Sequence, residues 1–337
     1  MATGNPVDGR PEVRIDRSDV GRRVSVRRLG EFVDDRPVFR DSIGVLTSWD
    51  DHGLTIVPRS GDPVFLPEKL LVAGKVVPPF PARRAPLPVA TPVELQRIAG
   101  RGWPAVEQEP LGEWTLRASA GFTRRANSVQ ALGDPGLPLP EALAAVRAWY
   151  AERGLPSYVE VITPGSPEEL RTELDRLGAG YAPTLVRTGP LAGLARAGNG
   201  LDRVRLSRTA DEAWLSLYRR VSGDRKVEEA ARRVLHGGPS VWFATVPGAP
   251  GQPPLAIGRC VIEGAWACFG AIEVQPYARR AGLATAVMAV LASRAAEEGA
   301  TGGYLQVEAE NAGAIALYDG LGFTTSHTYH YARLPQG

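Results

Sequence analysis

Lysine is almost missing from this chain. Of its 39 basic residues only Lys69, Lys75 and Lys226 are lysines, and the rest are arginine. Acidic residues number 37, leaving a formal net charge of +2. Nothing in that balance asks for a nucleic-acid partner, whose footprint needs basic side chains clustered on one face. Cysteine is equally scarce. Cys260 and Cys268 are the two, too few for a disulfide framework or a tetrahedral zinc site. Both stand in apolar, strand-like runs where a small buried hydrophobe is expected. No stretch approaches the roughly 18 consecutive apolar residues of a membrane span, and the polar start Met1–Arg14 lacks the apolar centre of a signal peptide. The expectation is a cytoplasmic protein with no metal and no membrane partner.

What is present is a 337-residue chain with 44% hydrophobic residues, long enough for two or three cores. Residues 1–17 are polar and read as a disordered tail. Over 18–77 short strand signals alternate with turns: Arg23–Arg27, Ile43–Trp49, Gly53–Val57 and Leu70–Ala73, separated by clusters such as Asp50-Asp51-His52-Gly53 and Arg59-Ser60-Gly61-Asp62. Closely spaced strands without helical period predict a small β-barrel, similar to SH3-like barrels. Residues 78–94, opening with Pro78-Pro79-Phe80-Pro81, read as a stiff, proline-rich linker.

Residues 95–190 then read in the order β-β-α-β-α-β. Strands are expected at Trp114–Ala118, Ser128–Leu132, Tyr158–Ile162 and Pro183–Thr188, with helices over Pro140–Glu152 and from Ser166. Residues 202–334 follow a similar order at greater length: helices at Ala210–Ser222 and Val227–Leu235, and strands at Val241–Val246, Pro254–Ile262 and Ala265–Val274. After these come helix Leu283–Glu298, strand Gly303–Val307, helix Ala312–Gly320 and a last strand near Thr325–Ala332. The shared order predicts two similar α/β (α+β) folds packed together.

Chemistry concentrates in two places. The first is Arg279-Arg280-Ala281-Gly282-Leu283-Ala284-Thr285, between an apolar strand and an amphipathic helix. There Gly282 lets backbone approach a ligand without a Cβ, the helix N-terminus presents free N–H groups and a partial positive charge, and Arg279 and Arg280 add charge-assisted donors. The turn is read as a pyrophosphate site. A Rossmann fingerprint is excluded, because it needs three glycines where one stands, and no Gly-Lys-Ser/Thr nucleotide loop occurs. The second place puts Asn311 at a strand end and Tyr318 two turns along the next helix, where a proton can be handled.

These two segments resemble the signatures of the GNAT acyltransferase superfamily. Arg279, Gly282 and Ala284 match its pyrophosphate motif, and Asn311, Tyr318, Gly322 and Phe323 match its downstream motif, with Tyr304–Val307 similar to its fifth strand. The match covers about residues 205–334. The resemblance implies a mixed-sheet GNAT fold there, with acetyl-CoA as donor. Its pyrophosphate would lie on the N–H groups from Arg280 to Ala284, its pantetheine arm near Ile272 and Val274, and Asn311 would bind a pantetheine amide or a water. Residues 95–190 look like a degenerate GNAT-like domain without a phosphate turn. The whole arrangement is similar to actinobacterial tandem-GNAT proteins with an SH3-like start, some described as N-acetylglutamate synthases or histone-type acetyltransferases.

In that family's chemistry Tyr318 would be the acid that protonates the leaving thiolate. The base departs from the family pattern, since Cys268 and Gln306 occupy positions where relatives carry glutamate. Glu273 is the chosen base, with Glu308 nearby and a water chain as the alternative. Arg124, Arg125 and Asn127, on a polar loop of the middle domain, are candidates to bind an acceptor carboxylate. The function expected is N-acetylation of a small amine or amino acid, glutamate among them. The alternatives are a protein N-acetyltransferase and a non-catalytic acyl-CoA sensor. The acceptor's identity and the oligomeric state are not readable from the sequence.

Overall fold

Alternating apolar residues between 23 and 76 build a six-stranded sheet. In the computed structural model, which describes residues 13–33, 36–58, 62–77, 86–177, 180–218 and 223–335, β1 (Val13–Arg14), β2 (Arg23–Val33), β3 (Arg36–Trp49), β4 (Gly53–Pro58), β5 (Val64–Pro67) and β6 (Leu71–Val76) lie in the order β1-β6-β2-β3-β4-β5. Val24, Val26, Leu46, Leu54, Ile56 and Leu66 fill its interior, each on the inward side of a period-two pattern. The strands of the first hairpin are longer than expected. Val13–Arg14 pairs with β6, so ordered structure begins inside the segment read as a tail. Residues 1–12, the turn 59–61 and the proline-rich 78–85 lie outside the described residues. The chain divides into two compact units, Met1–Arg83 with Ala296–Gly299 and Arg84–Ala295 with Ala300–Gly337.

The second unit carries α1 (Pro92–Gly102), β7 (Glu107–Leu111), β8 (Trp114–Ala118), β9 (Val129–Gln130), α2 (Leu139–Glu152), β10 (Tyr158–Thr163), α3 (Glu168–Leu177), β11 (Thr184–Pro190) and α4 (Leu191–Leu194). There follow β12 (Arg205–Ser207), α5 (Glu212–Leu217), α6 (Arg225–His236), β13 (Ser240–Val246), β14 (Ala256–Glu263), β15 (Trp266–Val274), α7 (Leu283–Glu297), β16 (Gly302–Glu308), α8 (Ala312–Gly320) and β17 (Thr324–Arg333). All eleven strands join one mixed sheet, in the order β12-β13-β14-β15-β16-β11-β17-β10-β9-β8-β7. The parallel pairs β9–β10 and β15–β16 are each bridged by a helix, α2 and α7, as a parallel connection requires.

The last strands are exchanged. β11, which ends the first half in sequence, pairs with β16 and β17 of the second half, and β17 pairs in turn with β10 of the first. The runs β7-β8-β9-α2-β10-α3-β11 and β13-β14-β15-α7-β16-α8-β17, each with three strands before its first crossover helix, one more than expected for residues 95–190, are thereby sewn into a single sheet. The helix expected over Ala210–Ser222 is shorter, Glu212–Leu217, and its last expected turn, 219–222, lies outside the described residues. Helix α1 spans the boundary expected between the linker and the middle domain, where no helix was expected. Its start is a capping box: Thr91 accepts from Glu94 N at 3.2 Å, and the Glu94 carboxylate accepts from Thr91 N at 2.7 Å.

Candidate active site

β15 and β16 run together only from Trp266–Gly302 to Phe269–Leu305. Beyond that point β15 continues against β14, while β16 continues against β11. The two strands splay, and the inner edges of residues 270–274 and 306–308 lose their mutual pairing. A bulge in β15 widens the gap: Ile257 opposes Glu273 but Arg259 opposes Gly270, so β15 carries one residue too many. Ala271 sits in that bulge at φ 51°, a left-handed conformation that a non-glycine residue adopts at a cost and that concentrates at functional sites.

A cavity of about 660 Å³ opens at the splay. Ile272, Glu273, Asn311, Tyr318, Arg124 and Arg125, all singled out from the sequence, line it together. Glu308 lines it too. Val274 and the turn 279–285 are outside its wall, at the carboxyl end of β15, where the chain turns through Pro276–Ala278 into α7. In that turn Arg280 (φ 65°) and Gly282 (φ 76°) are both left-handed, and a Cβ built on Gly282 would meet nothing within 4 Å. Arg279, Arg280, Ala281 and Gly282 are exposed, Leu283 is buried, and Ala284 and Thr285 are half-buried. Among the described residues, the first N–H after Arg279 with an internal acceptor is that of Ala286, bonded to Gly282 O at 3.0 Å. The N–H groups from Arg280 to Thr285 are therefore available at a helix N-terminus.

Tyr318 is buried on α8 against Phe323, with ring centroids 6.2 Å apart. Burial, and the nearby Glu273 carboxylate after it, push its phenol up to about 12. Asn311 is the N-cap of α8, its side-chain oxygen accepting from Ala314 N at 3.1 Å, which leaves its amide N–H₂ to donate. Cys268 lines the cavity, and burial pushes its thiol up against the pull of Arg259 and Tyr304. Gln306 accepts from the Tyr329 hydroxyl at 3.0 Å, and that hydroxyl accepts from Arg125 at 3.4 Å.

Asn127 departs from the expectation that it faces an acceptor. Its oxygen accepts from Ser119 N and Gly121 N at 2.8 and 3.0 Å, and its amide donates to Phe122 O and Thr123 O, both at 2.8 Å. Every hydrogen-bonding position is used within its own loop, so Asn127 fixes the turn that presents Arg124 and Arg125. Arg124 lies over the Tyr181 ring at 4.2 Å, and Arg125 over the Trp103 ring at 5.5 Å. Sequence reasoning missed Trp103, Tyr218, Arg259 and Tyr329, which also line the cavity. Arg259 had a signal: an arginine inside the apolar run Ala256–Ile262 needs a buried reason to be there.

The family described as the C-terminal part of the probable histone acetyltransferase Rv0428c matches residues 93–332. The uncharacterized N-acetyltransferase YobR of Bacillus subtilis is 28% identical over 71% of this chain and 96% of its own length. The probable histone acetyltransferase Rv0428c of Mycobacterium tuberculosis is 26% identical over 93% and 94%. Among solved structures, a GCN5-related N-acetyltransferase from Kribbella flavida superposes with a TM-score of 0.53 at 16% identity, covering 74% of this chain and 98% of that one. The family matched over 93–332, together with the splayed sheet, makes the conclusion plain: this chain belongs to the Rv0428c C-terminal family within the GNAT superfamily, and it is an acetyltransferase.

Proposed function

We propose that the chain transfers acetyl from acetyl-CoA to a primary amine of a small molecule or amino acid. The observation that carries this reading is the splay of β15 from β16, leading into a turn with two left-handed residues and free N–H groups before α7. In this reading residues 202–334 form the catalytic half, 95–190 a GNAT-like half without a phosphate turn, and 18–77 an SH3-like barrel.

The residues fit the donor. Arg279, Arg280, Ala281, Gly282, Leu283, Ala284 and Thr285 would hold the pyrophosphate through backbone N–H groups and the two guanidinium groups. The unpaired edge at Ile272 and Val274, with the free amide of Asn311, would take the amides of the pantetheine arm. When bound, the thioester supplies an activated acetyl group. Glu273 would accept the proton that the attacking amine loses, directly or through a water. As the carbon–sulfur bond breaks with its electron pair on sulfur, Tyr318 would donate to that sulfur. The acceptor would face Arg124 and Arg125, which line the same cavity. Thiol release from acetyl-CoA, measured against amino acids, polyamines and peptides with CoA binding followed by calorimetry, tests the reading. Turnover with small amines is expected; turnover with peptides alone would move the acceptor to a protein side chain.

A further inference from the structure

Three arginines, Arg124, Arg125 and Arg259, line this cavity with no carboxylate partner among the described residues, and two of them, Arg125 and Arg259, share Trp103. Arg259 is buried on β14 and donates to the carbonyls of Leu235, Gly102, Gly237 and Val234 at 2.6, 2.9, 2.7 and 3.4 Å. All are neutral acceptors. Among the described residues Arg125 hydrogen-bonds only to the Tyr329 hydroxyl, at 3.4 Å from two of its nitrogens. Neither guanidinium has a carboxylate partner among the described residues. Both bear on one indole, with Arg259 5.0 Å and Arg125 5.5 Å from the Trp103 ring. Burial lowers the Arg259 guanidinium to about 10, the mark of a charge that lacks a counter-ion.

The acids of the same cavity lie elsewhere. Glu273 stands near the carboxyl end of β15, Glu308 ends β16, and Glu310 follows it. Glu273 opposes Ile257, two residues from Arg259 along β14, or roughly 7 Å at strand spacing. The cavity is thus polarised, negative toward the carboxyl ends of the splayed strands and positive toward Trp103.

We infer that Arg125 and Arg259 form an anion subsite and that the acceptor is a small primary amine carrying a carboxylate. The inference rests on the acetyl-transfer reading above and specifies its acceptor. The carboxylate becomes the missing counter-ion of the two guanidinium groups, and the amine lies toward the glutamates and the splay. The span is short. Arg125 reaches Gln306 through one hydroxyl, Tyr329, and Gln306 follows Leu305, the last residue of β16 paired with β15. A lysine side chain of a protein brings no anion to that end, so the subsite selects a free amino acid over a protein.

The test compares acceptors differing only in the anion: glutamate, aspartate and glycine, each against its α-carboxamide and, where present, its side-chain carboxamide. CoA binding is followed separately by calorimetry. For at least one acid, amidation is expected to lower kcat/KM by about tenfold or more, the scale of one lost charge-assisted hydrogen bond. Arg125→Met is expected to abolish the preference while leaving CoA affinity unchanged. Arg125 ties down no backbone carbonyl among the described residues, so this variant folds even if Arg259→Met, which frees four carbonyls, does not. Arg259→Lys, keeping the charge, is expected to retain part of the preference. Equal rates for acids and amides with CoA binding intact would overturn the subsite and leave acetyl transfer standing. Failure to bind CoA would instead overturn the reading beneath it.

Discussion

Tyr318 and Glu273 are electrostatically coupled: burial first, and the Glu273 carboxylate after it, push the Tyr318 phenol up to about 12. A phenol held there stays protonated throughout the neutral range. It is also a reluctant acid toward a thiolate whose conjugate thiol has a pKa of roughly 8.5. The coupling eases the mismatch. In the proposed mechanism, Glu273 loses its charge on taking the amine's proton, and the phenol would then become a stronger acid as the sulfur becomes negative. Glu273→Gln is therefore expected to lower the Tyr318 titration midpoint, read as the difference in alkaline phenol absorbance against Tyr318→Phe. A midpoint that stays put would dissolve the coupling. Tyr318→Phe itself should reduce kcat by about 10² to 10⁴, the usual scale of general acid catalysis, with CoA affinity unchanged.

The two signatures that suggested this chemistry were legible because each is local. An apolar strand, a glycine turn and the apolar stripe of 283–297 specify a strand-turn-helix whatever surrounds them, and Asn311 and Tyr318 share one short helix. Long-range features were not legible. β11 and β17 alternate in the same way as any half-buried strand, so nothing in Thr184–Pro190 says that it will lie between β16 and β17. β7, with the sequence Glu107–Leu111, exposes almost every side chain and so lacks an apolar period. Helix α1 did leave a signal in Thr91-Pro92-Val93-Glu94, a capping box with proline at the first helical position, masked by the prolines before it. The loop 121–128 showed its arginines but not that Asn127 faces its own backbone.

Gly282 lies at φ 76° with open space around its missing Cβ. A side chain there has room, so its cost is conformational: about 1 kcal/mol for alanine in the left-handed region. Gly282→Val adds a branched side chain above the N–H groups of the turn. The expected outcome is a folded protein that melts slightly lower and loses at least tenfold in CoA affinity, about 1.4 kcal/mol. Calorimetry with CoA and a thermal melt separate the two effects. A variant that melts normally and binds CoA as the parent does would remove the turn from the donor site.

His327 is buried on β17, its Nε2 3.1 Å from Gln96 Oε1. Burial lowers it to about 4 against an ordinary 6.5. The unfolded chain therefore takes up a proton at higher pH than the folded one, and folding stability falls as pH drops from 6.5 toward 4, levelling below that. At about 1.4 kcal/mol per pH unit across the window, the loss between pH 7 and 5 is on the order of 2 kcal/mol. Urea denaturation at both pH values measures it. His327→Gln should flatten this part of the profile while remaining able to hydrogen-bond Gln96.

Close to His327, Arg117 and Glu160 form an ion pair at 2.9 Å with side chains 2% and 0% exposed. Around it Gln96 and Gln130 donate to Glu160 at 2.9 and 3.2 Å, and Arg117 donates to Ser128 O at 2.9 Å. This cluster ties α1, β8, β9 and β10 together across the first half of the sheet. Attraction between two such charges has to overcome the desolvation of both, so the pair as a whole adds little net stability, whereas removing one partner strands the other. Glu160→Leu or Arg117→Leu alone should each cost about 3 to 5 kcal/mol. The double substitution should cost clearly less than the sum, because no charge is left unpaired. Denaturant unfolding of the four proteins in the cycle gives the coupling directly. Additive single losses would mean that the two side chains contribute through packing rather than charge.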